Sequence, residues 1–326
     1  MASLTDLKAI VPPKLKKGDV IGIVSPSSAI RAESLKRGVN FLEDKGFKII
    51  LGKTVTNVYS RGFTSASDTQ RTDELMDFFT RRDIKAIFTS TGGYGSTRII
   101  NKLNYNDIKN NPKILMGFSD TTSLQLAIWK KTGLITFSGP TPEMTEKNYK
   151  NDQWGLEAAL AILMGKIKAP FNLIIPESTL PRILGNHQGS AIGRLLGGNL
   201  TMVCSLLGTD FDPPLKDKIL FMEEVNESGY KIEMMLQQLK LAYKLDYLKG
   251  AIMGEFVNIE GGHKSKTASE SDPSIDEILI QKFSQYDYPI VYGYPFSHGK
   301  YCITIPQGVR AKITTPAVEI LENVVE

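Results

Sequence analysis

Short apolar runs alternate with amphipathic stretches through the first 140 or so positions. Asp19-Val20-Ile21-Gly22-Ile23-Val24 is a β-branched run that stops at Ser25-Pro26-Ser27-Ser28. Leu35, Val39 and Leu42 then share one helix face, which ends at Gly46. The pattern continues with a strand from Phe47 to Leu51, a helix face of Leu75, Phe78 and Phe79, and strands from Ile84 to Thr89 and Lys113 to Phe118. A further helix face of Leu124, Ala127 and Ile128 closes near Gly133. Strands apolar along their whole length, spaced by helices, predict a parallel sheet covered on both faces. The expected fold class is α/β, with a layered N-terminal domain over residues 13–141.

The pattern breaks between 142 and 184. That stretch is polar and proline-rich (Pro142, Pro170, Pro176, Pro181) and reads as a connection carrying one short helix, Trp154 to Met164. A smaller, mixed domain over 185–322 then begins at Gly197-Gly198-Asn199-Leu200. It contains a strand ending Ile219-Leu220-Phe221-Met222 and a helix face of Ile232, Met235, Leu236 and Leu239. A second helix carries Ile275, Ile278, Leu279 and Phe283. Short strands are expected at Ile290 to Tyr292, Ile303 to Ile305 and Val309 to Ile313. Glu260 to Asp272 is polar and Gly/Ser-rich and is expected to be a mobile surface loop.

Composition narrows the function classes. The chain is 41% hydrophobic and 23% charged, ordinary globular usage that excludes a disordered or fibrous protein. Its formal charge of +4 is too weak, over 326 residues, to argue for nucleic acid or a membrane surface as partner. No apolar run approaches the ~20 residues of a membrane span, and Met1 to Val20 lacks the ~7–15-residue apolar core of a secretion signal. Cys204 and Cys302 are far apart, with no CxxC and no histidine pair beside them, which argues against a zinc site or a disulfide framework. A soluble, cytoplasmic protein is the expectation.

Two segments can carry chemistry. Gly117-Phe118-Ser119-Asp120-Thr121-Thr122 follows a strand and opens a helix. A serine on such a turn has its hydroxyl pushed outward beside backbone N–H groups able to hold an oxyanion. The G-x-S-x-G elbow is incomplete, since Thr121 stands at its last position, and the other reading makes Ser119 a helix N-cap with Asp120 complementing the dipole. Thr91-Gly92-Gly93-Tyr94-Gly95 follows the strand Ile84 to Thr89, where glycines let a backbone approach a ligand closely or simply make a turn. Neither a Rossmann fingerprint nor a phosphate-binding P-loop is present.

A serine nucleophile needs a base, and the chain has three histidines. His187 and His263 lie in polar stretches and read as solvated loop residues. His298, in Tyr294-Pro295-Phe296-Ser297-His298-Gly299, lies in a turn between strands. Glu223 and Glu224 end an apolar strand, where acidic pairs are often solvated caps and where an acid that fixes an imidazole is also found.

Taken together, Gly92-Gly93-Tyr94-Gly95 and Lys113 through Thr122 resemble the LD-carboxypeptidase family of serine peptidases, which includes murein tetrapeptide carboxypeptidases and microcin-C-immunity hydrolases. The resemblance continues in order through Gly139-Pro140, Gly197 to Leu200, Leu220 to Glu224 and His298 to Val309. It implies a Ser119–Glu223–His298 triad, with Glu224 secondary. It also implies oxyanion donors at the N–H of Asp120 and of the Gly92–Tyr94 turn, chiefly Gly93. A Rossmann-like domain and a smaller C-terminal domain with the site in the cleft, a homodimer, and no metal or organic cofactor follow from the same likeness. The implied substrate is a small peptide ending in D-alanine or, alternatively, a peptidyl-nucleotide; a lower alternative is a small-molecule binding protein without catalysis. Immunity-type members tend to carry a second histidine two places after the base, where this chain has Lys300, which favours the peptidase. Arg98 is either a cation for the substrate carboxylate or an outward-facing helix arginine.

Overall fold

The computed structural model describes residues 7–56, 63–145, 152–259 and 272–326. His263 and almost all of the loop expected at Glu260 to Asp272 lie outside them. The chain divides into two compact units. The first runs to Ala169 and takes back Ile303–Val309 and Glu322–Glu326; the second comprises Pro170–Cys302 and Arg310–Leu321.

The first unit holds a six-stranded sheet in the spatial order Ile305–Gln307, Thr136–Ser138, Ile114–Gly117, Ile84–Thr89, Val20–Val24, Lys48–Leu51. The last five are mutually parallel, and Ile305–Gln307 closes the edge antiparallel to Thr136–Ser138. Ile21, Ile23, Ala86, Ile87, Phe88, Ile114 and Leu115 are fully buried, as a sheet with both faces covered demands. The helix Asp68–Thr80 starts at a Ser67 capping box completed by Gln70 and buries Leu75, Phe78 and Phe79. The parallel strands lie in the doubly wound order 2-1-3-4-5, which places the topological switch point between Val20–Val24 and Ile84–Thr89. Their carboxyl ends lead into Ser25 to Ser28 and Ser90 to Gly93. Part of the stretch 142–184, expected as a connection, is a helix of this unit (Asp152–Leu163) with Leu156, Leu160 and Leu163 buried.

The second unit is shorter but has the wider sheet, eight strands in the order Phe171–Asn172, Ala317–Ile320, Arg310–Thr314, Ser190–Asn199, Lys218–Val225, Gly250–Val257, Ile290–Tyr294, Arg182–Ile183. The four strands from Ser190–Asn199 to Ile290–Tyr294 run parallel, and the outer ones antiparallel. Gly250–Val257, with Ala251, Ile252 and Met253 fully buried, is central to it, although glycines at both ends of its apolar run hide it in the sequence. Cys204 and Cys302 are buried and form no disulfide.

Candidate active site

The strand Ile114–Gly117 delivers the chain to Ser119, whose φ of 61° is left-handed. Such a backbone is strained in a non-glycine residue and occurs where a fold forces a side chain outward. An N-cap residue has an extended backbone and a side chain accepting from the first helical turn; Ser119 instead begins a 3₁₀ turn (Ser119–Thr121) ahead of the helix Thr122–Thr132. The cap reading of Ser119 therefore fails. Asp120 does not complement the dipole from solvent either. It is 2% exposed, its Oδ2 accepts from Ser27 Oγ at 2.5 Å and from Ser96 N at 2.9 Å, and burial raises its carboxyl pKa. Ser96 Oγ in turn donates to the Asp120 carbonyl at 2.6 Å.

The glycine turn abuts the serine. A Cβ at Gly92 would lie 2.8 Å from Ser119 Cβ and 3.2 Å from its Oγ, so any side chain here must displace the serine or the turn. Gly93 has φ +97°. Ser28 fastens the turn, its N–H donating to Gly92 O at 3.2 Å while its Oγ accepts from Tyr94 N at 3.1 Å. Arg71, buried without solvent access to its side chain, donates to the carbonyls of Gly95 (2.8 Å), Ala66 (3.2 Å) and Pro26 and pairs with Asp68 at 2.7 Å. The Tyr94 ring is half-exposed and meets Phe63 edge-on, with centroids 6.2 Å apart. Arg98 is committed to Asp68 at 2.9 and 3.1 Å from a 3₁₀ turn at the surface, the outward-facing alternative.

In the second unit the strand Lys218–Val225 carries both acids, and their alternation sends them to different partners. Glu223 is 0% exposed and its Oε2 lies 2.9 Å from His298 Nδ1. When Glu223 is ionised its carboxylate can only accept, which puts the imidazole proton of this contact on Nδ1. Burial raises the Glu223 carboxyl pKa, while His298 and Asn199 pull against it. Glu224 accepts from Thr201 N (2.8 Å), Thr201 Oγ1 (2.7 Å), Val225 N (2.9 Å) and Asn199 Nδ2 (2.8 Å). Asn199 Nδ2 also reaches Glu223 Oε1 at 3.2 Å, bridging the two carboxylates, and its Oδ1 caps the helix Leu200–Ser205. Nothing in the sequence marks Asn199 for this role except its place in Gly197-Gly198-Asn199-Leu200. His187 is not a solvated residue: it is 8% exposed, with Nδ1 3.2 Å from the Tyr288 carbonyl.

Residues 21–139 match the model of the LD-carboxypeptidase N-terminal domain, and 192–313 that of the C-terminal domain. The chain belongs to the LD-carboxypeptidase family. This carboxypeptidase is 30% identical over 314 residues to the probable murein peptide carboxypeptidase of Bacillus subtilis, covering 93% of this chain and 91% of the relative. It is also 30% identical over 332 residues to the microcin C7 self-immunity protein MccF of Escherichia coli, at 92% and 91% coverage. The structure of MccF in complex with aspartyl sulfamoyl adenosine superposes with a TM-score of 0.86 at 27% identity, over 97% of this chain and all of that one. The muramoyltetrapeptide carboxypeptidase of Oxalobacter formigenes superposes with a TM-score of 0.77 at 25% identity, over 93% and 99% of the two chains. Among the described residues no helix is long and apolar enough to cross a membrane.

Proposed function

We propose that this carboxypeptidase is a serine hydrolase that releases terminal D-alanine from murein tetrapeptides, with Ser119 as nucleophile, His298 as general base and Glu223 as the acid that orients it. The observation that carries the reading is the 2.9 Å contact of a fully buried Glu223 with His298 Nδ1. A carboxylate withdrawn from water, with one oxygen on an imidazole nitrogen and the other on Asn199, is costly to the fold and useful to a base. The left-handed Ser119 packed against Gly92 supports the nucleophile assignment.

Ser119 Oγ attacks the carbonyl carbon of the bond between the diamino acid and D-alanine, and its proton passes to His298 Nε2. The oxyanion accepts from the N–H groups of Gly93 and Asp120. The C–N bond breaks as His298 gives its proton to the leaving amine, and water, deprotonated by the same imidazole, then hydrolyses the acyl-serine. General-base catalysis is worth about 10²–10⁴-fold, and each oxyanion donor about 3–4 kcal/mol.

The closer superposition of MccF supports a second substrate class, an aminoacyl or peptidyl nucleotide cleaved by the same three residues. Incubating the enzyme with a murein tetrapeptide and with an aminoacyl-sulfamoyl adenosine, and assaying released D-alanine against released amino acid, decides between them. Ser119→Ala should abolish either activity and His298→Ala should cost at least about 10³-fold; a fully active Ser119→Ala enzyme overturns the reading. A role in cell-wall recycling would have the enzyme act on imported murein peptides in the cytoplasm, and the resemblance to the family supports a homodimer, which light scattering of the purified protein tests.

A further inference from the structure

His298 lies outside regular secondary structure. The strand Ile290–Tyr294 ends four residues earlier, and an isolated bridge between Phe296 and Cys302 closes the turn around it. A base on such a turn is only as well placed as the ties that hold it. The ring has its tie in Glu223; the backbone has another.

Ser297, 1% exposed, donates from Oγ to Glu255 Oε2 at 2.8 Å and accepts from Gly299 N at 3.1 Å. The residues on both sides of His298 thus meet at one hydroxyl, and that hydroxyl is anchored to one carboxylate. Glu255 also packs directly on the turn, since a Cβ on Gly299 would fall 2.0 Å from its Oε2.

The position of Glu255 follows from an irregularity in the sheet. Met253 pairs with Met222, but Phe256 is the next residue of its strand to pair, with Glu224, so three steps on one strand match two on the other. Against Ile290–Tyr294 the register slips as well, between Met253 and Gly254. Glu255 has a register partner in neither neighbour. Bulges re-aim a side chain and are enriched beside active sites; this one lies across from Glu223. Two adjacent parallel strands therefore each send one carboxylate to the same turn.

We propose that Glu255 is a positioning residue, holding the 297–299 turn through Ser297 so that the His298 imidazole stays in register for proton transfer. This rests on His298 being the base.

The test is steady-state hydrolysis of a murein tetrapeptide, or of the sulfamoyl adenosine if that is the substrate, by Glu255→Ala, Glu255→Gln, Ser297→Ala and the double variant Glu255→Ala/Ser297→Ala. Losing the anchor should lower kcat about 10–100-fold with KM within twofold, since misplacement by roughly 1 Å costs about 10²-fold. Glu255→Gln keeps an oxygen that accepts from Ser297 and should recover kcat to within about threefold of wild type. The double variant should be no worse than the poorer single one, because both remove one link. The proposal falls if Glu255→Ala keeps kcat within twofold, if Gln rescues no better than Ala, or if the two losses multiply. Should Glu255→Ala not fold, Ser297→Ala must still lose kcat and Glu255→Gln must still keep it, and either failing sinks the proposal. An inactive His298→Ala beside a fully active Glu255→Ala sinks this inference alone, whereas an active His298→Ala sinks the assignment of the base.

Discussion

Replacing Gly92 by alanine puts one methyl group against the proposed nucleophile, and its effect can be worked from distances. The new Cβ would begin 2.8 Å from Ser119 Cβ, where ordinary contact starts at 3.4 Å, so something must yield by at least 3.4 − 2.8 = 0.6 Å. Neither side yields easily. Ser119 is held at φ 61° between a buried strand and a 3₁₀ turn. The glycine turn is pinned by Ser28 at Gly92 and Tyr94 and by the buried Arg71 at Gly95. Overpacking of this kind costs about 1–3 kcal/mol of stability, leaving most of the protein folded at 25 °C, but it moves the hydroxyl by a large fraction of the ~1 Å that costs about 10²-fold in rate. Gly92→Ala should thus lose about 10–100-fold in kcat/KM for release of D-alanine, and react more slowly at Ser119 with a fluorophosphonate. A variant within twofold of wild type in both assays would mean that the turn does not hold the nucleophile, and the account of why Gly92 is glycine would be wrong.

Three further outcomes follow from other parts of the structure. Glu223→Gln should drop kcat by about 10³–10⁴-fold, as loss of the orienting acid does elsewhere; because burial raises the Glu223 pKa, its ionised form destabilises the fold as pH rises through that value, so the amide should unfold at an equal or higher temperature by calorimetry. Asp68, facing Arg98, Arg71 and Lys102, has its carboxyl pKa lowered to about 2, so its contribution to stability is complete above the unfolded value and is lost as pH falls through about 2. Discounted for its partial exposure, that is about 1–2 kcal/mol, and Asp68→Asn should be weaker by this amount at pH 7 with a flatter pH dependence between 5 and 3, read by urea unfolding with tryptophan fluorescence, since both tryptophans, Trp129 and Trp154, belong to the first unit. Buried Lys113 donates to the carbonyls of Phe78, Phe79 and Arg81 at the end of a helix; burial lowers its pKa to about 8, but baring three carbonyls costs more than that burial, so Lys113→Met should destabilise the first unit by about 2–4 kcal/mol in the same assay.

Four of the five parallel strands of the first sheet were legible, all but Thr136–Ser138, because parallel strands buried on both faces write continuous apolar runs. Ile84 to Thr89 was placed to the residue, and Val20–Val24, Lys48–Leu51 and Ile114–Gly117 to within one residue at each end. The second was legible only in part. Ser190–Asn199 contains Gly193, Gly197 and Gly198, and Gly250–Val257 is broken by Gly254, so two central strands lacked the β-branched density that marks a strand. The return of Ile303–Val309 to the first unit has no local signature at all; it exists because Ile305–Gln307 completes an edge against Thr136–Ser138.

The site divides along the same line. Gly92 and Ser119 announce themselves because each lies in a short motif at the end of a legible strand, a glycine run after Ile84–Thr89 and a serine turn after Ile114–Gly117. The side-chain ties do not: Asp120 and Ser27 are 93 positions apart, Glu223 and His298 are 75, and Glu255 and Ser297 are 42, and no spacing rule joins such pairs. Glu223 and Glu224 make the point most sharply. They are the same residue type, adjacent in sequence and almost equally buried, yet one meets an imidazole and the other the amide and hydroxyl of Thr201. What separates them is the two-residue period of a strand, which sends neighbours to opposite faces. The acid's identity is thus a property of strand register: a one-residue slip of Lys218–Val225 against Ser190–Asn199 would put Glu224 where Glu223 stands, opposite Asn199, without changing a single residue.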